Sequence, residues 1–270
     1  MTDEDIGLAA FTPAIGMVDR LDSRGFGPIA DEIAMVRAYL APGEMDSAPL
    51  LRLAEQAALR EQRGAERKAR DWPALAHYRE ANAALAGQSV DVVFIGDSIT
   101  EIWGLAQPDL FTGSVVNRGI SGQTSPQILL RFMADVVGLK PRAVHLMCGV
   151  NDIAGNTGPN TVQDYKNNIL AMLLLAEANG ITVILGSLTP VSDVWKPAVS
   201  NPAERIAELN AWQVELAAER GLIRADYGPV LSDANGGLRA DFHRDGLHPG
   251  TGGYAAMRPV TDAALARALA

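Results

Sequence analysis

The sequence predicts an α/β fold in which helices cover both faces of a parallel five-stranded sheet. The first observation is a set of short apolar runs without polar alternation, as in strands that are buried on both faces. The second is that longer segments of helical periodicity separate these runs. The third is that the runs end in polar loops, as expected at the carboxyl edge of a parallel sheet. The predicted architecture is a three-layer α/β/α sandwich.

A helical extension over residues 1–70 is predicted to precede the sheet domain, which covers residues 71–270. Apolar positions recur at helical spacing in residues 31–40 and 48–60. The charged segment 61–70 has little to bury and is typical of a solvated helix face. We expect the extension to cover a flank of the sheet or to form a dimer contact.

The sheet domain is predicted to begin with a helix over residues 72–85 that ends at Gly87. The strands are predicted at residues 90–95, 114–117, 143–148, 181–186 and 222–226. A short helix is predicted directly after the first strand, and the longer helices are predicted at residues 125–137, 162–178, 203–220 and 253–269.

Composition limits the classes of partner. Thirty-two acidic and 23 basic residues give a formal net charge of −9, which argues against nucleic-acid or anionic-membrane partners. A single cysteine, Cys148, excludes an internal disulfide framework. The acidic start does not resemble a secretory signal, and no window approaches the ~20 apolar residues of a membrane span. The chain as given predicts a cytoplasmic protein without membrane insertion, or a secreted or periplasmic one if a longer precursor carries a leader.

The polar loops after the predicted strands carry the side chains needed for acyl transfer. They lie at residues 96–98, 117–124, 149–152, 187–191 and 243–249. Together they supply a serine, an Asp–His pair, glycine amides and an asparagine carboxamide. These groups correspond to a nucleophile, a base with its orienting partner, and oxyanion donors.

Ser98 needs an adjacent base, because a serine hydroxyl is a weak nucleophile at neutral pH. The four histidines are His77 in a predicted helix, His145 in a predicted strand, and His243 and His248 in one loop. Asp245 precedes His248 by three residues, so one turn of backbone can hold both side chains together. The loop sequence His-x-Asp-x-x-His also has metal-like spacing, but no second carboxylate or cysteine cluster supports a metal site. We expect no metal and no cofactor.

Stabilisation of a tetrahedral oxyanion requires hydrogen-bond donors near the serine. The candidates are the Ser98 amide, the Asn151 carboxamide and one glycine amide of the loop 117–124. Both Gly119 and Gly122 are suitable, because the backbone can approach closely where there is no Cβ.

Four sequence blocks together carry a resemblance to a known family. G-D-S-I-T, N-R-G-I-S-G-Q-T, G-V-N-D and D-G-L-H-P follow one another in this order. The chain from about residue 88 to 270 therefore resembles the SGNH-hydrolase branch of the GDSL esterase/lipase family. The resemblance implies a flavodoxin-like fold and ester hydrolysis by a nucleophilic serine without a metal ion. The G-x-S-x-G elbow of other α/β-hydrolases is missing.

The resemblance also implies roles for individual residues. By position, Ser98 matches the nucleophile, His248 the base and Asp245 its partner. Gly122 and Asn151 match the oxyanion-hole residues, with Gly119 as a competing glycine. Two aromatic residues, Trp103 and Trp195, are candidates for lining the substrate pocket.

Several functions are consistent with these residues. We expect a small-molecule ester substrate with a short acyl chain, and a carbohydrate O-acetyl ester is the alternative. A catalytically inactive SGNH binding module is a third reading, although such modules usually lose the serine or histidine. A metal-dependent hydrolase is a fourth, which sensitivity to chelators would reveal.

Overall fold

A parallel five-stranded sheet forms the centre of the computed structural model, which describes residues 30–192, 195, 199 and 201–270. The strand order is β2-β1-β3-β4-β5. The strands are β1 Val92–Gly96, β2 Val115–Gly119, β3 Ala143–Met147, β4 Thr182–Gly186 and β5 Ile223–Ala225. The predicted α/β fold with an all-parallel sheet is confirmed, because every strand pair is parallel.

Helices surround the sheet and precede it. They are α1 Ala30–Leu40, α2 Ala48–Glu55, α3 Ala57–Arg70, α4 Arg79–Ala84, α5 Ser98–Ala106, α6 Ser125–Asp135, α7 Val150–Ile153, α8 Val162–Ala178, α9 Pro202–Arg220, α10 Gly228–Leu231 and α11 Thr251–Ala268. Strands β1 and β3 are buried along their whole length, as expected for apolar strands covered on both faces. No helix within the described residues is long and apolar enough to span a membrane.

Strand register brings three loops to one edge of the sheet. Gly96 at the end of β1 pairs with Gly119 at the end of β2 and with Met147 at the end of β3. The loops that follow these strands therefore start side by side, where sites in parallel sheets form.

The helix predicted over residues 72–85 is wrong in its first half. Regular helix begins only at Arg79. The Asp71 carboxylate accepts hydrogen bonds from the amides of Leu75 and Ala76, both at 2.8 Å, and so competes with helical pairing. Ala74 takes a left-handed conformation with φ of 59°, which interrupts a helix.

The amino-terminal helices pack against the sheet domain. Helix α1 contacts α5, and ion pairs join α1 to its neighbours, between Asp31 and Arg52 at 2.8 Å and between Glu32 and Arg60 at 3.2 Å. Tyr39 near the end of α1 is buried. Helix α1 therefore covers the flank of the sheet at α5, while residues 1–29 of the predicted extension lie outside the described residues and the dimer contact stays a prediction.

Candidate active site

Ser98 is placed by the turn between β1 and α5. Gly96 ends the strand, and a Cβ there would lie 2.3 Å from the Met147 carbonyl oxygen, so only glycine fits. Asp97 caps the helix through a 3.0 Å hydrogen bond from the Ile99 amide to its Oδ1. Ser98 is the first helical residue, and its amide has no acceptor within the helix.

His248 links Ser98 to Asp245. The distance from His248 Nε2 to Ser98 Oγ is 2.9 Å, and that from His248 Nδ1 to Asp245 Oδ2 is 2.6 Å. The second oxygen of Asp245 accepts hydrogen bonds from the amides of Leu247 and His248, at 3.0 and 2.9 Å. The loop thus holds the carboxylate by its own backbone, and the structure brings the three predicted side chains together.

The ionisation of Asp245 fixes the arrangement of protons. Partial burial acts to raise its pKa, but hydrogen bonding and the charge interaction with His248 outweigh this and lower the pKa to about 2. The carboxylate is therefore charged near neutral pH and accepts the Nδ1 proton. With the proton on Nδ1, Nε2 can accept the Ser98 hydroxyl proton.

A second carboxylate next to the serine does not join this chain of hydrogen bonds. Asp97 is buried, and this burial raises its pKa to about 7 despite the hydrogen bond from Ile99. Its Oδ2 has no hydrogen-bond partner among the described residues. Asp97 acts here as the cap of α5, a role that its position before Ser98 explains.

Asn151 lies in the first turn of α7, directly after β3, and is buried. Its Nδ2 donates to the Gln123 carbonyl at 3.0 Å, while its Oδ1 accepts from Asn156 Nδ2 at 2.6 Å. These two bonds fix the orientation of the amide group. An amide nitrogen has two protons, so one remains for a further acceptor.

The two candidate glycines differ in what their amides do. The Gly119 amide donates to Asn117 Oδ1 at 2.8 Å and is thereby occupied. Gly122 has φ of 78°, and its amide finds no backbone acceptor in the described part of the chain. The geometry therefore favours Gly122 over Gly119 as a donor.

Trp103 lies in the core of the described structure, whereas the sequence predicts it at the substrate pocket. Its side chain is fully buried and packs edge-on against Phe94 and Tyr227, with ring centroids 5.8 Å apart in each case. The position five residues after Ser98 lies on a different face of the helix, which turns toward the core. Trp195 is 5% exposed and also belongs to the core, while its neighbours 193, 194 and 196–198 lie outside the described residues.

His145 and His243 each have a hydrogen-bond partner other than Ser98. His145 Nε2 lies 2.8 Å from the Tyr227 hydroxyl, and burial lowers its pKa to about 3. His243 Nδ1 accepts from the Gly246 amide at 3.0 Å. Within the described residues, no group of three His, Cys, Asp or Glu side chains is placed to hold a metal ion.

Tyr39 contacts the loop that carries Asp245 and His248, and the sequence does not reveal this contact. Its hydroxyl donates to the His248 carbonyl oxygen, lies 3.3 Å from Asp245 Oδ1, and accepts from the Arg244 amide at 3.2 Å. Burial and the charge of Asp245 raise the pKa of Tyr39. The end of α1 therefore touches the loop that carries the Asp–His pair, although about 200 residues separate them in sequence.

Similarity to known proteins covers the residues of this site. A family model described as GDSL-like lipase/acylhydrolase matches residues 94–256, which is more than half of the chain. The chain belongs to the GDSL-like lipase/acylhydrolase family. The predicted resemblance is thus confirmed, and this is an esterase family. The match contains the loops after β1, β2 and β3 together with the Asp–His loop.

Relatives of this GDSL-family chain agree with its fold. A GDSL-like lipase from Bacteroides thetaiotaomicron is 37% identical, with a TM-score of 0.69, and the match covers 74% of this chain and all of that one (100%). A related structure from Bacteroides fragilis is 36% identical, with a TM-score of 0.70, over 74% of this chain and 99% of that one. Both matches cover almost the whole of the other chain, so the similarity in fold extends over that entire chain.

Curated relatives match over shorter segments. An acetylxylan esterase of Geobacillus stearothermophilus is 35% identical over 92 residues, which is 25% of this chain and 42% of that protein. An uncharacterised lipoprotein of Bacillus subtilis is 35% identical over 80 residues, which is 28% of this chain and 33% of that protein. The chain thus spans less than half the length of these curated relatives.

Proposed function

We propose that this GDSL-family protein hydrolyses carboxylic esters through a covalent acyl-enzyme on Ser98. The observation that carries the proposal is the continuous chain of hydrogen bonds from Ser98 Oγ through His248 to Asp245. Membership of an esterase family supports the same class of reaction. Geometry of this kind lets a histidine take the serine proton as the hydroxyl attacks.

The first half of the reaction forms the acyl-enzyme. Ser98 Oγ attacks the ester carbonyl carbon while its proton passes to His248 Nε2. The carbonyl oxygen becomes an oxyanion that the amides of Ser98 and Gly122 and the Asn151 Nδ2 stabilise. The C–O bond to the alcohol then breaks, and the alcohol leaves with the proton from His248.

The second half releases the acid. A water molecule gives a proton to His248 Nε2 and attacks the acyl carbon. The tetrahedral species collapses, the bond to Ser98 Oγ breaks, and His248 returns the proton to the serine. Asp245 stays ionised throughout and stabilises the imidazolium that forms in each half.

The proposed substrates are carboxylic esters with a short acyl chain. A carbohydrate O-acetyl ester is the second candidate, and the segment of similarity to an acetylxylan esterase favours it. Parallel assays with p-nitrophenyl esters and with acetylated xylo-oligosaccharides separate the two. Release of acetate from the oligosaccharide at a higher kcat/KM than from the aryl acetate would support the carbohydrate reading.

The test of the mechanism is Ser98→Ala, assayed on p-nitrophenyl esters from acetate to dodecanoate. We expect kcat to fall by about 10⁴-fold or more, because the nucleophile is lost. Activity of the unaltered protein should not respond to a chelator. Ser89→Ala is a matched control, since Ser89 is exposed and precedes β1 at the opposite edge of the sheet.

Three outcomes would contradict the proposal. Full activity of Ser98→Ala would exclude the acyl-enzyme. Loss of activity with chelator, restored by a divalent metal, would favour the metal-dependent reading. If the unaltered protein cleaved no ester at all, the inactive binding module would be the better account.

A further inference from the structure

A cavity of about 490 Å³ lies between the amino-terminal helices and the sheet domain. Its walls come from α1, α3, α5, the segment between α3 and α4, the start of α6, and the loops after β2 and α7. Gly122 and Asn156 are among its lining residues. Asn156 Nδ2 donates to Asn151 Oδ1 at 2.6 Å and to the Gly122 carbonyl at 3.4 Å. The cavity therefore borders one proposed oxyanion donor, Gly122, and reaches the other, Asn151, only through Asn156, which is bonded to it.

The cavity follows one face of α5 away from Ser98. Ile102 and Leu105 line it, four and seven residues after Ser98. Residues at these spacings lie on the same face of a helix, so Ser98 and the cavity share that face. A rise of 1.5 Å per residue puts Leu105 ~10 Å along the helix from Ser98.

Part of the cavity lining is apolar. Ile33 and Val36 of α1 line the cavity together with Ile120 of the loop after β2. Charged side chains, including Arg67 and Lys68, also border it. The three acidic residues of the lining have partners: Glu101 accepts from the Ser121 amide at 2.8 Å, Glu32 pairs with Arg60, and Asp71 accepts from the amides of Leu75 and Ala76. The apolar part of this lining favours an aliphatic group.

An ester has two arms, the acyl group and the alcohol, and these lie on different sides of Ser98 during the reaction. The leaving oxygen must receive a proton from His248 Nε2, so the alcohol lies toward the loop 243–249. No residue of that loop is among the described residues that line the cavity. The acyl arm is the one that points away from His248.

We infer that this cavity binds the acyl arm of the ester, and that the preferred acyl group is a short aliphatic chain longer than acetyl, which selects the first candidate substrate above over the carbohydrate O-acetyl ester. The inference rests on the proposed Ser98 mechanism and adds the substrate class to it. It also assigns the amino-terminal extension a part in substrate selection, because α1 and α3 form walls of the cavity.

Contacts at the end of α1 hold this wall in place relative to the reacting groups. Arg244 Nε donates to the Tyr39 carbonyl at 3.0 Å, and its Nη2 donates to the Ala41 carbonyl at 2.9 Å. Thr251 Oγ1 donates to the Leu40 carbonyl at 2.7 Å. The end of α1, which forms part of the cavity wall, is therefore hydrogen-bonded to a residue before His248 and to a residue after it in sequence.

Gly64→Leu is the variant that tests the inference. Gly64 lines the cavity from α3, and a Cβ added there would meet nothing within 4 Å. Leucine suits a helix interior better than glycine, so the fold should be retained. We expect kcat/KM for p-nitrophenyl octanoate to fall at least about tenfold, because the new side chain takes space from the acyl chain. The value for acetate should change by less than about twofold, because acetyl does not reach the wall.

Two further variants make the test specific. Ala65→Leu is the matched control, since Ala65 is the next residue of α3, is exposed and does not line the cavity; its chain-length profile should equal that of the unaltered protein. Leu105→Glu places a carboxylate at the far end of the cavity, where the leucine is 40% exposed, and should also lower octanoate turnover selectively.

The inference is overturned if acetate is the best substrate of the unaltered protein, or if Gly64→Leu and Leu105→Glu both leave the octanoate-to-acetate ratio unchanged. An equal fall on both substrates would also overturn it, because an acyl pocket acts on chain length. In each of these cases the effect of Ser98→Ala on kcat still tests the proposed mechanism independently.

Discussion

Replacing Asp245 with asparagine is expected to lower kcat for p-nitrophenyl acetate by about 10⁴-fold. The carboxylate accepts the Nδ1 proton of His248 at 2.6 Å and thereby leaves Nε2 unprotonated toward Ser98. An amide group at this position can donate to Nδ1, which favours the tautomer whose Nε2 carries the proton. His248 then cannot take the serine proton. Steady-state kinetics at neutral pH measure the effect.

The Asp245→Asn variant should remain folded. Asparagine keeps one carbonyl oxygen, which can still accept from the Leu247 and His248 amides that Oδ1 binds. Asp241→Asn is the matched control, because Asp241 is an exposed carboxylate that pairs with Arg239. A kcat within about tenfold of the unaltered protein for Asp245→Asn would contradict the role of this carboxylate.

Asn151→Ala is expected to lower kcat by about 10²–10³-fold with little change in KM. A donor to the oxyanion acts mainly in the transition state, because negative charge develops on the carbonyl oxygen only there. Asn151 is held for this by bonds to the Gln123 carbonyl and to Asn156. Measured kcat and KM on p-nitrophenyl acetate separate this effect from weaker substrate binding.

The control for this variant is Asn179→Ala, at the exposed carboxyl end of α8, where the side chain donates only to the Leu175 carbonyl. Its kinetics should not change. A rise in KM without a fall in kcat for Asn151→Ala would show that Asn151 binds the ground state of the substrate and would remove it from the oxyanion site.

The centre of the sheet could be predicted because strands such as β1 and β4 are almost continuous apolar runs between turn residues. Strand β1 was predicted at 90–95 and lies at Val92–Gly96, and β4 was predicted at 181–186 and lies at Thr182–Gly186. The prediction of a helix over 72–85 is wrong in its first half because two backbone amides donate to the Asp71 carboxylate. These hydrogen bonds are local, and helical periodicity does not report them.

The residues of the site could be predicted where a short motif carries them. Ser98, Asp245 and His248 stand in loops whose residue types are needed for acyl transfer, and the parallel sheet brings those loops to one edge. Tyr39 could not be predicted, since a single tyrosine at the end of a helix gives no sign of a partner far along the chain. Trp103 is a pocket candidate on sequence alone, because an aromatic side chain can line a pocket or the core, and the structure places it in the core.

The most direct test of the account is covalent labelling with an alkyl fluorophosphonate, followed by peptide mapping. A serine activated by a histidine displaces fluoride and keeps the phosphonyl group, so the site of the label identifies the nucleophile. We expect one label per chain on Ser98, with esterase activity lost in proportion to labelling, and no label in Ser98→Ala. A label on another residue, or loss of esterase activity while Ser98 stays unmodified, would contradict the central claim.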